Sequence, residues 1–147
     1  MRQFLGTADG VTISGGEPFE QPRAIRALTA AVRRECPGGD ILVYSGHPAA
    51  WLRARHAAIL AQIDVLIPEP FVESSASTHR LAGSGNQPVL LLTELARERY
   101  GAIHPEARAK INIAPAEDRV RLAGIPRRGE IARLAAVAAA IGEPHPR

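Results

Sequence analysis

The sequence predicts an α/β fold with a mainly parallel, open sheet and flanking helices. Two observations carry this: short β-branched or aliphatic runs alternate with amphipathic helical segments, and a glycine- or proline-containing loop follows the successive runs. Such spacing calls for right-handed crossovers, which place ligand-binding loops at the carboxyl ends of the strands. At 147 residues the chain has the length of a single domain, expected to span 1–147. Hydrophobic residues make up 46% and aromatics only 4%, so the core should be aliphatic.

The first strand is VTISG, residues 11–15, where Thr12 and Ile13 favour extended backbone. Gly15 and Gly16 then permit positive φ, and Pro22 suits the first turn of a helix. That helix runs from Pro22 to Cys36, with Ile25, Leu28 and Val32 on one face, and Pro37, Gly38 and Gly39 stop it. ILVYSG, residues 41–46, is a continuous apolar run of the kind found where helices cover both faces of a strand. A second helix, Pro48 to Ile63, lines up Leu52, His56, Ile59 and Ile63.

DVLIPEPF, residues 64–71, is a third strand ended by Pro68. Residues 72–88, VESSASTHRLAGSGNQP, are polar and longer than a typical connection, which makes them functional or disordered. VLLLT, residues 89–93, is a fourth strand, followed by a helix over Glu94–Tyr100. KINIAP (110–115) and RVRLAG (119–124) alternate as half-exposed strands, and a last helix spans Arg128 to Ile141. On this layout the polar loops GGEP, SGHP, PEPF and GSGNQ converge on one rim.

Composition narrows the function. The net charge is +3, from 18 basic and 15 acidic residues, and no dense basic stripe or interleaved stacking aromatics point to nucleic acid. No segment has the roughly 20 apolar residues needed to span a bilayer, and MRQFLGTADG lacks a signal-peptide core, so a cytoplasmic location without membrane contact is expected. One cysteine, Cys36, excludes an internal disulfide and reads as a small core residue.

The five histidines show no metal-ligand spacing. His56 lies on the core stripe, whereas His47 and His79 sit on rim loops. Glu69 and Glu73 flank the third strand end and read either as an acid–base pair or as solvated loop carboxylates. No residue is singled out as catalytic or metal-ligating. The glycine corner alone is either a tight βα turn or a backbone cradle, open to a ligand because two residues lack β-carbons.

VTISGGEPFEQP resembles the glycine-rich motif of the radical S-adenosylmethionine enzymes, in particular the small activating enzymes of anaerobic ribonucleotide reductase and pyruvate formate-lyase. The resemblance continues in order through ILVYSG, IDVLIPEPF, AGSGNQ and RVRLAGIPRRG, and so covers nearly all of the chain. It implies a partial (βα) barrel, S-adenosylmethionine as cofactor, and generation of a glycyl radical on a partner enzyme. It also implies cofactor binding at Gly15, Gly16, Glu17 and Pro18, with Ser45, Gly46, Ser84, Asn86 and Gln87 as further rim contacts.

Three departures stand beside the match. Family members hold a four-iron, four-sulfur cluster on a Cys-x-x-x-Cys-x-x-Cys loop ahead of the glycine motif, and those ligands are absent here. The chain is therefore expected to be truncated, missing a first βα unit, with an unpaired strand edge open to self-association or to the missing segment. Pro-Glu-Pro-Phe (68–71) stands where activating enzymes commonly have Asp-Gly-Pro-Phe, and Ala82 where an arginine is common. The alternative is a noncatalytic α/β binding module, or a degenerate or split half of a radical enzyme.

Overall fold

The computed structural model describes residues 8–75, 77, 79–102, 112–116, 119–123 and 129–142. The chain divides into two compact units, Met1–Arg108 and Ala109–Arg147. In the first, β1 (Gly10–Ile13), β2 (Asp40–Tyr44), β3 (Val65–Ile67) and β4 (Leu90–Leu91) form an open sheet in the order β1-β2-β3-β4. Three helices accompany it: α1 (Pro22–Glu35), α2 (Ala49–Leu60) and α3 (Glu94–Tyr100). The second unit holds β5 (Asn112–Ala116) and β6 (Arg119–Ala123), paired antiparallel from Asn112↔Ala123 to Ala116↔Arg119, and α4 (Glu130–Gly142).

The α/β class and the open sheet are as the sequence predicts, and the pairing is mixed. β1 and β2 run parallel from Gly10↔Asp40 to Ile13↔Val43, and β2 and β3 from Leu42↔Val65 to Tyr44↔Ile67. β4 runs antiparallel to β3, Val65 opposite Leu91 and Leu66 opposite Leu90. The cause lies in the connection. A parallel return needs a crossover that carries the chain back to the far end of the sheet, usually as a helix. Among the described residues no helix lies between β3 and β4, and β4 starts at the end where β3 stops. GSGNQ therefore reaches the rim by leading into a strand, whereas GGEP, SGHP and PEPF leave one.

Ile41, Leu42 and Val43 of β2 form an unbroken apolar run because the strand is covered on both faces. On one face Ile41, Val43 and Leu66 pack with Ile25 and Val32 of α1, Leu52 and Ile59 of α2, and Ile63. On the other, Leu42, Val65 and Ile67 meet Ala96 of α3, with Tyr44, Leu81, Val89, Leu91 and Tyr100 packed around them. At about 25 cal/mol per Å² of apolar area removed from water, each fully buried Val, Leu or Ile among these stabilises the fold by roughly 1.5–3 kcal/mol. Cys36 belongs to the first cluster, as expected from its place on the helix, and is 8% exposed.

Leu28 packs against the first cluster with Ile25 and Val32, as its spacing predicts, and Thr29, which the sequence reading did not single out, is fully buried beside them. Its hydroxyl is satisfied by donating to Gln62 Oε1 at 2.7 Å, which allows a polar group there. His56 also departs from expectation. Its backbone is non-helical (φ −131°, ψ 27°), and it is half-buried, its ring 5.2 Å from Phe19 and 5.3 Å from Trp51.

Two buried aspartates lock the amino ends of the strands, and the sequence reading singled out neither. Asp64 accepts from Arg33 Nη2 at 2.6 Å, from Ile41 N at 2.7 Å and from the Thr93 hydroxyl at 2.6 Å. It thereby ties α1, β2 and the start of α3, where Thr93 is the N-cap and accepts from Ala96 N. Asp40 accepts from Arg99 Nη1 and from the Tyr100 hydroxyl. Burial, then the hydrogen bond to Asp40, pushes the Tyr100 phenol up to about 12.

Candidate functional site

The opposite end of the sheet carries a cavity of about 270 Å³. It lies where β1, β2 and β3 end, and four loops line it: Ser14–Glu17, Ser45 and Gly46 after Tyr44, Glu69 and Phe71, and Gly83 with Gln87. Sequence reading anticipated this convergence because each loop follows or precedes a strand end on one side of the sheet.

Gly15 and Gly16 adopt φ of +90° and +55°, in the region that side-chain-bearing residues rarely enter. A β-carbon built on either would meet nothing within 4 Å. The two glycines thus present bare backbone to open space, and no neighbouring side chain plugs the turn.

Glu17 holds the turn in place. Its Oε1 accepts from Phe19 N at 3.0 Å and from the Ser45 hydroxyl at 2.9 Å, and its Oε2 accepts from Gly46 N at 2.7 Å. The first bond caps the short 3-10 turn Pro18–Glu20; the other two bind the GGEP loop to the SGHP loop. Ser45 is buried, and its Oγ also accepts from His47 N at 3.1 Å. Pro18 is buried beneath the turn and does not line the cavity.

The far wall is stapled in the same manner. Gln87 Oε1 accepts from Gly83 N at 3.0 Å and Ser84 N at 3.1 Å, while its Nε2 donates to Glu69 O at 2.8 Å. Ser84 is fully buried: its Oγ donates to Asn86 Oδ1 at 2.8 Å and accepts from Val72 N at 3.1 Å. Asn86 Nδ2 donates to Pro70 O at 2.8 Å. Of the nine rim residues named from the sequence, Gly15, Gly16, Glu17, Ser45, Gly46 and Gln87 share the cavity. Ser84 and Asn86 stand behind it and fix the loop, and Ser84 lines a second cavity of about 190 Å³ with Ser77 and His79.

Sequence reasoning left five lining residues out or undecided: Ser14 and Gly83, whose loops it did place on the rim, and Tyr44, Phe71 and Glu69. Tyr44 closes the floor, its hydroxyl donating to Leu81 O at 2.6 Å and its phenol raised above the usual range by burial. Phe71 is 57% exposed at the mouth. Glu69 lies in the left-handed region at φ 78°, immediately before Pro70. That conformation gives a physical reason for glycine to be common at this position in the proteins the sequence resembles. Glu73 is exposed and does not line the cavity. His47 stacks on Trp51 with ring centroids 4.1 Å apart, outside the lining.

Residues 4–90 match the family described as the 4Fe-4S single cluster domain. The chain belongs to that family. It is 38% identical over 82 residues to the anaerobic ribonucleoside-triphosphate reductase-activating protein of Haemophilus influenzae, covering 53% of this chain and 52% of that one. The protein of the same name from Escherichia coli K12 is 34% identical over 83 residues, 54% of each chain. That from Pasteurella multocida is 36% identical over 91 residues, covering 58% and 57%. The resemblance to activating enzymes read from the sequence is thus borne out. The chain spans about half the length of the curated relatives it matches, and no solved structure matches it.

The residues present do not fit the cluster that the family is named for. Cys36 is the chain's one cysteine, and its Sγ, 3.3 Å from Ala8 O, sits at the amino end of the sheet, away from the rim. Among the described residues no group of three or more His, Cys, Asp or Glu could hold a metal ion. One buried thiol cannot replace the several thiolates that such a cluster requires.

Proposed function

We propose that this chain is the cofactor-cradling part of a radical S-adenosylmethionine activating enzyme. The observation that carries the reading is the pair of positive-φ glycines with clear space in front of them, set in a cavity that four rim loops share. At about 270 Å³ the cavity is near the lower limit of small-molecule sites, roughly 300–1,000 Å³, and suits one end of the cofactor. The carbonyls of the Gly15–Gly16 turn orient the ammonium group of the methionyl end. Glu17 holds that turn against Ser45 and Gly46, and Gln87 closes the far side. When bound, an adenosyl sulfonium supplies the reactive chemistry on one-electron reduction, and the protein's part is orientation and exclusion of water.

By the same reading the fold is part of a radical-enzyme (βα) barrel, the site of action is the cytoplasm, and the partner is a glycyl-radical enzyme such as anaerobic ribonucleotide reductase. Among the described residues no helix is long and apolar enough to cross a membrane. β1 stands at the sheet edge with Val11 and Ile13 half-buried, which suits pairing with another copy or with a separate cluster-bearing segment. The buried, solitary Cys36 favours a second reading, a noncatalytic module or one half of a split enzyme.

Isothermal calorimetry of the chain with S-adenosylmethionine tests the proposal. Weak binding is expected, and it should be abolished by Gly16→Val, whose side chain enters the open space and whose backbone resists φ of +55°. No heat of binding to the wild-type chain would sink the reading.

A further inference from the structure

Given an adenosyl sulfonium as the ligand, as proposed above, we infer that Glu69 is the carboxylate that selects its positive charge. Among the described residues two carboxylates line the cavity, Glu17 and Glu69, and no Lys, Arg or His does. The walls therefore favour a cation over a neutral or anionic molecule. The two carboxylates are not equivalent. Both oxygens of Glu17 are engaged, accepting three hydrogen bonds between them from Phe19 N, the Ser45 hydroxyl and Gly46 N.

Glu69 is engaged far less. Its Oε1 accepts one long bond from Ala49 N at 3.3 Å, and its Oε2 accepts none from the described residues. The backbone around it is firmly held: Glu69 N donates to His47 O at 3.1 Å, and Glu69 O accepts from Gln87 Nε2 at 2.8 Å. A half-buried carboxylate on a fixed backbone, with acceptor capacity to spare and facing a cavity without bases, is suited to a ligand cation. Glu17 is then a positioning residue that shapes the wall, and Glu69 makes the contact.

The test measures selectivity as well as affinity. S-adenosylmethionine and S-adenosylhomocysteine differ by the sulfonium methyl and its positive charge, so their affinity ratio isolates the electrostatic part. For the full chain by calorimetry, Glu69→Gln should lower the ratio of the two association constants about fivefold, as expected for a unit charge about 4 Å from a carboxylate that bulk water screens. A residue that merely capped α2 would shift both affinities alike. Glu69→Gly, which relieves the positive φ, should raise the melting temperature and lower the ratio to the same extent, which keeps the result apart from a folding defect. An unchanged ratio in both variants, with S-adenosylmethionine still bound, would overturn the role of Glu69 and leave the cofactor reading in place. If the wild-type chain binds neither probe, both fail.

Discussion

Replacing Glu17 separates the frame of the rim from its ligand. In Glu17→Gln one carboxylate oxygen becomes an NH2. Placed at Oε2, that NH2 faces the Gly46 N–H, which the native oxygen accepts from at 2.7 Å; flipped to Oε1, it faces Phe19 N and the Ser45 hydroxyl instead. Either orientation puts donor against donor. The first is the cheaper because Gly46 is exposed and its N–H can turn to water. Losing one charge-assisted bond at such a position costs about 1.5–2 kcal/mol. Glu17→Ala removes all three bonds and strands the buried Ser45 hydroxyl and Phe19 N–H, for about 3–4 kcal/mol. Urea unfolding read by circular dichroism measures both. Binding of S-adenosylmethionine should be lost in the alanine variant even where calorimetry is run on folded protein, because the two loops part. If Glu17→Ala unfolds within about 0.5 kcal/mol of wild type, the range of an ordinary surface substitution, the proposed clasp is wrong.

The other predictions concern the opposite end of the sheet and the cysteine. Asp64→Ala leaves Arg33, Ile41 N and Thr93 without their shared acceptor and should destabilise the chain by about 3–5 kcal/mol, seen as a lower urea midpoint. Both tyrosines are held protonated by the fold, so the tyrosinate absorbance of the native chain should develop above pH 10, and in guanidinium near 10. Since the folded pKa of Tyr100 is the higher, its contribution is complete below about pH 10 and is lost as pH rises towards about 12; stability that is constant across that window would contradict the Asp40–Tyr100 bond. Anaerobic treatment of the chain with iron and sulfide should give no stoichiometric cluster absorbance, and Cys36→Ala should behave the same; a one-to-one cluster would refute the structural role of Cys36.

Strand and helix order was legible because each element has a strong local signature: a Gly-bounded apolar run for β2, an apolar run ended by Pro68 for β3, a proline start for α1, and Thr93 ahead of α3. The direction of β4 was not, since VLLLT reads the same in either sense and the deciding fact is that the described residues between 68 and 89 hold no crossover helix. The rim was legible as a set of loops but not as a division of labour. Glu17, Ser84 and Asn86 read as ligand contacts, yet their polar atoms bond other loops, and only coordinates separate a staple from a contact. Glu69 reads from sequence as half of an acid–base pair with Glu73 or as a solvated carboxylate, because a positive φ at a non-glycine residue leaves no mark in the sequence. Asp40 and Asp64 precede apolar runs and resemble ordinary strand flanks, so their partners, dozens of residues away, could not be foreseen.

Whether the bare Gly15–Gly16 backbone meets the cofactor can be read most directly by nuclear magnetic resonance. Adding S-adenosylmethionine to the isotopically labelled chain should shift the amide signals of Gly15, Gly16, Gly46 and Gly83 together, while those of Gly38 and Gly39, at the amino end of the sheet, stay still. Shifts centred on the second cavity around Ser77 and Gly85, or none at the paired glycines, would contradict the account.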